Sequence, residues 1–90
     1  MESDHQRDAA LKLSAFIKES FPRAQTGVLP DDLNLLENGV IDSMGLLIII
    51  GFMEDDLGVT VDDSEVVMEN FGTIESMSRF VAAKRESTPV

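Results

Sequence analysis

Asp42-Ser43 is the one place in this chain where residue type and position together offer chemistry. The pair stands between a long turn-rich stretch and a strongly apolar segment that reads as a helix. Helix N-termini carry unpaired N–H groups and about half a positive charge, so they stabilise a phosphate. The Ser43 hydroxyl could therefore be phosphorylated or joined in a phosphodiester, and the helix would favour the product. Another enzyme would have to attach the group, because no neighbour in sequence activates the hydroxyl. The ordinary alternative is a serine that merely caps the helix.

Other chemistry is poorly supplied. The single histidine, His5, lies near the N-terminus, so no serine has a histidine base and no Ser-His-Asp arrangement exists. No lysine falls in the central segment to form a Schiff base. Acid pairs at 31/32, 55/56 and 62/63 have the look of solvated surface, and neither Asp32 nor Asp55 starts a calcium loop in register. There is no glycine-rich phosphate loop. The absence of cysteine excludes disulfides, thiolate metal sites and a cysteine nucleophile. The expectation is a chain that is not itself an enzyme.

Ninety residues, 43% hydrophobic and 27% charged, suit one globular domain spanning 1–90 and ordered over about 4–85. Seventeen acids against seven bases give a net charge of −10. Between Gln25 and Ser78 there is no base at all. Such a surface repels nucleic acid and anionic membrane and attracts a basic protein patch. It also favours a monomer. The apolar run from Ser43 to Met53 is too short for a membrane span, and the charged start MESDHQRD is unlike a signal peptide. The expected location is the cytoplasm.

Four helices position the candidate serine. The first is predicted over 4–20, with Ser3 and Gln6 at capping-box spacing, a stripe of Ala10, Leu13, Ile17 and Phe21, and Pro22 as its stop. A long connection over 23–41 carries Gly27, Pro30, Asn38 and Gly39, yet also several leucines, so it should pack across the helices with a helical turn near Asp32. The second helix runs from Ser43 to about Leu57, capped by Asp42, stapled by Ile41 and Leu46, and stopped by Gly58. A short third helix is predicted over 63–69 behind Asp62 and Glu65. A fourth is predicted over 73–85, capped by Thr73, with Ile74, Met77 and Val81 facing inward.

The second helix has more apolar surface than one buried stripe needs. Leu47, Ile50, Met53 and Leu57 read as its core stripe, with Met44, Ile48, Gly51 and Phe52 on another face. Either the helix is buried nearly all round, or the second face receives a partner, with Glu54, Asp55 and Asp56 as its charged rim. Gly51 permits a close approach on that face, by a partner or by the loop.

The stretch from Leu35 to Leu47, LLENGVIDSMGLL, resembles the core motif of acyl and peptidyl carrier proteins. The likeness continues through Glu54 to Val59 and Asn70 to Ile74, and spans about Lys12 to Lys84. It implies an all-α four-helix bundle with a long first loop and a short third helix. It implies that Ser43 takes a covalent 4′-phosphopantetheine arm from coenzyme A, installed by a phosphopantetheinyl transferase, with Asp42 near that enzyme's metal site. The arm's thiol would hold acyl or aminoacyl groups as thioesters, loaded by an activating ligase and passed to a downstream transferase or synthase. The second helix would be the docking face, through Met44, Ile48, Phe52, Glu54 and Asp55. Carriers of the fatty-acid type have polar residues near the positions of Gly45, Leu46 and Ile48, which are apolar here. That departure tilts the cargo toward aminoacyl and the partner toward a dedicated enzyme with an apolar groove. The competing reading is an unmodified acidic interaction module that docks through Met44, Ile48 and Phe52.

Overall fold

The computed structural model describes residues 4–21, 24 and 29–87. They form α1 (Asp4–Ser20), α2 (Ser43–Asp55), a 3₁₀ turn (Asp63–Glu65), α3 (Met68–Phe71) and α4 (Ile74–Ser87), with no strand among them. This is the all-α, four-helix arrangement with a long first loop and a short third helix. No helix among the described residues is long and apolar enough to cross a membrane.

Helix α1 has its predicted bounds, but Ala9 joins Leu13 and Ile17 as its buried line, while Ala10 and Phe21 are half-buried. Ser3 and Pro22, the proposed cap and stop, lie outside the described residues. The α1 stripe packs on α4, whose Ile74, Met77 and Val81 are fully buried, as expected. Thr73 caps α4 through a mutual pair: its Oγ1 accepts from the Ser76 N–H, and its own N–H donates to Ser76 Oγ. Leu35, Ile49, Met53 and Phe71 complete the centre of the core. Burying each such side chain contributes about 1.5–3 kcal/mol.

Two predicted elements differ. The third helix is split into the 3₁₀ turn and α3, because Val66 leaves the helical region at ψ 77. Glu65 still closes the turn by accepting the Asp62 N–H at 3.0 Å. Near Asp32 there is a turn closed by Leu33 N–H to the Pro30 carbonyl, with no helix following it.

The core line of α2 is also rotated from the predicted one. Gly45, Ile49 and Met53 are buried, while Leu47 is 67% exposed. At 3.6 residues per turn, Leu47 stands about 160° round the helix from Ile49, the most outward place available. The two glycines of α2 consequently differ. A Cβ on Gly45 would lie 2.8 Å from Phe21 Cε1 and 3.2 Å from Ile41 Cβ. A Cβ on Gly51 would meet nothing within 4 Å.

The far end of α2 is closed by α4. Gly58 turns the chain at φ 70, as its role as a stop requires. Arg85 then donates Nε and Nη2 to the Leu57 carbonyl at 3.2 and 3.0 Å, and Nη1 to Asp8 of α1 at 3.3 Å. The Asp8 carboxyl is held below its ordinary range by Lys12 first and by Arg85 as well, against some opposing desolvation. Glu65 is likewise lowered, by Lys84 at 2.8 Å and by the Asp62 N–H.

Two outcomes are expected in thermal denaturation. Gly51→Ala should stabilise by about 0.5–1 kcal/mol, because it restores helix propensity in open space. Gly45→Ala should destabilise by about 1–3 kcal/mol despite the same gain, because it overpacks against Phe21 and Ile41. A depressed carboxyl contributes stability above its unfolded pKa and loses it as pH falls through the folded one. The stability gap between the wild type and Asp8→Asn should therefore narrow on going from about pH 6 to below about pH 4.

Candidate functional site

The start of α2 is set by Asp42. Its backbone is extended, and its Oδ1 accepts the Gly45 N–H at 2.8 Å while its carbonyl accepts the Leu46 N–H at 2.9 Å. Of the N–H groups in the first turn that lack intrahelical partners, that of Gly45 is capped and those of Ser43 and Met44 remain for an outside acceptor. Ser43 is the first helical residue and is exposed. The first turn of α2 contains no acid, so no side chain within it offsets the positive end of the helix. The nearest acid, Asp42, already has one oxygen committed to the cap. A phosphate ester on the Ser43 oxygen therefore suits this tip, in sign of charge and in hydrogen bonding.

The loop that delivers Ser43 is held by backbone bonds along its length. Val40 and Ile41 both donate to the Leu35 carbonyl, at 2.9 and 3.3 Å. Asn34 accepts the Glu37 N–H on its side-chain oxygen, and its carbonyl accepts from the Asn38 backbone and side chain. Gly39 takes φ 70, as the turn requires. Two bonds tie the loop to the far side of the molecule: Leu35 N–H to the Gly72 carbonyl and Glu75 N–H to the Asp31 carbonyl, each 2.9 Å. Beside Ser43 this frame leaves an open cleft of about 650 Å³ between Phe21 and residues 36–41, with Asp42 and Ser43 in its lining.

The outer face of α2 is apolar. Met44, Leu47 and Ile48 are 71%, 67% and 49% exposed. Two of the residues proposed for partner binding, Met44 and Ile48, are thus open to solvent, and so are Glu54 and Asp55. Phe52 is a correction. It is half-buried and stacks on Phe16 of α1, ring centroids 4.2 Å apart. It stands only about 60° from the buried Ile49 line, on the flank that meets α1. Leu47 takes its place on the outward strip. Gly45 and Leu46 are also withdrawn from solvent, so the apolar departure at the exposed side rests on Met44, Leu47 and Ile48. Counting steps of four back from Met53 through Ile49 to Gly45 reveals this orientation, once Gly45 is read as a contact rather than a gap.

Neither the cleft nor its Phe21 wall was legible in the local pattern, because α1 and the loop meet there only in three dimensions. Among the described residues no group of histidine and acidic side chains is arranged to hold a metal ion.

Residues 15–81 match a family described as phosphopantetheine attachment site. The matched span contains the loop described here, Asp42, Ser43 and all of α2. Among solved structures, a chain described as "Crystal structure of FAD-dependent dehydrogenase" superposes with a TM-score of 0.69 at 20% identity, covering 77% of this chain and 97% of that one. At that identity the likeness concerns the fold alone. No curated protein matches the chain.

Asp42→Ala should cost about 1 kcal/mol of stability through loss of the cap. Hydrogen exchange should quicken at the Gly45 amide, while the amides of α4 keep their relative protection.

Proposed function

The chain belongs to the phosphopantetheine-attachment family, and on that premise we propose that Ser43 is the residue that bears its 4′-phosphopantetheine arm. The observation that carries this reading is the place of Ser43: an exposed hydroxyl on the first residue of α2, beside two unpaired N–H groups and with no acid in the turn. Ser43 Oγ forms the new bond to phosphorus as coenzyme A loses its adenosine 3′,5′-bisphosphate. The hydroxyl proton passes to a base on the phosphopantetheinyl transferase, since the sequence from Gln25 to Ser78 holds no histidine or lysine. Asp42 keeps the helix tip in register and presents its other carboxylate oxygen to the transferase.

When attached, the arm supplies a thiol that holds cargo as a thioester. The protein's own part is then to present and to dock, acting as one carrier unit over the whole chain. Met44, Leu47 and Ile48 form an apolar strip next to Ser43, with Glu54 and Asp55 at its far end. A partner with an apolar groove flanked by basic residues complements that surface. The strip favours an aminoacyl cargo, with an activating ligase and a downstream transferase as partners, over an ordinary fatty-acyl route. An unmodified interaction module would use the same strip, but it leaves the family match and the solvent-facing hydroxyl without a role.

Intact mass after incubation with coenzyme A and a broad-specificity phosphopantetheinyl transferase should show one added phosphopantetheine, absent in Ser43→Ala. Wild-type protein that stays unmodified beside a modified control carrier overturns the assignment. Ile48→Glu and Leu47→Glu should lower transfer of cargo to a cognate partner at least tenfold, with the helical circular dichroism unchanged. Phe52→Glu should instead lower the melting temperature, because it breaks the stack on Phe16.

A further inference from the structure

The geometry points to a seat for the arm on the protein itself: the cleft between Phe21 and the loop, beside Ser43, receives the dimethyl-bearing half of the phosphopantetheine nearest the phosphate. The inference rests on the assignment of the arm to Ser43. Ser43 and Asp42 belong to the lining of the cleft, so a group bonded to the Ser43 oxygen starts at its edge. Its volume of about 650 Å³ falls in the range of small-molecule sites. Phe21, Leu36, Val40 and Ile41 supply apolar wall. The first carbon unit beyond the phosphate carries two methyl groups and is the apolar portion closest to the attachment point.

Two surfaces compete for that unit. The outward strip of Met44, Leu47 and Ile48 is convex, and a small group laid on it stays mostly in water. The cleft is an open groove, but its Phe21, Leu36 and Val40 walls can flank the same methyl groups, so it removes more apolar area from solvent than the strip does. Its walls are also set before the arm arrives. Val40 and Ile41 are bonded to Leu35, Gly39 to Leu36, and the Phe21 ring lies where a side chain on Gly45 would be. A preformed wall leaves little ordering cost for the occupant to meet. Seating the arm there leaves the docking strip clear.

The test compares isotope-labelled apo and holo protein by nuclear magnetic resonance, with intact mass establishing that the holo sample carries the arm. Cross-relaxation between the arm's methyl protons and the Phe21 ring is expected, with amide shift changes at Leu36, Gly39 and Val40. Leu47→Ser should leave these contacts unchanged, and Val40→Asp, in a sample with an unchanged helical spectrum, should abolish them. Shift changes confined to Asp42 through Gly45, or methyl contacts to Ile48, overturn the seat while leaving Ser43 as the attachment residue. A chain that acquires no arm overturns both.

Discussion

The bond from the Gly45 N–H to Asp42 Oδ1, 2.8 Å long, decides where α2 begins, and the use of the molecule follows from that beginning. Starting the helix one residue earlier or later would move the serine off its tip. Gly45 takes part twice. Its amide is the capped one, and its missing side chain is the space that Phe21 and Ile41 approach. The cap alone contributes about 1 kcal/mol, comparable to or larger than what the exposed ion pairs Lys12–Asp8 and Arg79–Glu75 each supply. Packing of Phe21 against the same turn fixes the angle at which loop and helix meet. Exposure of Ser43 is thus the product of a hydrogen bond and a steric fit that share one glycine.

Much of this was legible in the chain itself. Asp42 as a cap, Gly58 as a left-handed stop, Thr73 as the start of α4 and the burial of Ile74, Met77 and Val81 are consequences of local rules. Each depends on residues three or four apart. The errors fall where local rules run out. Apolar residues occupy nearly every position of α2, so its periodicity carries little directional information, and the buried line was set by a partner surface on α1 and the loop. Local pattern alone therefore places Leu47 in the core, whereas it faces solvent, and places Phe52 on the open face, whereas it stacks on Phe16. The predicted third helix breaks at Val66, whose ψ of 77 leaves the helical region, although both pieces face α4: Glu65 pairs with Lys84, and α3 packs on the same helix.

The surface around Ser43 is divided into two apolar regions of different shape. One is the strip of Met44, Leu47 and Ile48 on the crown of a helix, open to a large partner. The other is the cleft against Phe21, suited to something small. The acids from Glu54 to Asp56 stand at the opposite end of α2 from the serine, so they do not offset the positive end of the helix that faces a phosphate. No base intervenes between Gln25 and Ser78, so that segment's own charges are all negative, and the cations that reach it, Lys84 at Glu65 and Arg85 at the Leu57 carbonyl, come from α4.

Arg85 holds the Leu57 carbonyl and Asp8 together, joining residues 28 and 77 apart in sequence. The cap on Ser43's helix needs only residues three apart, but the other end of that helix is closed only when the last turn of α4 has docked. The two ends of α2 thus differ in range: one is closed across three residues, the other across 28. The serine's surroundings depend on short-range closure, and the cooperativity of the whole fold waits on a late arginine.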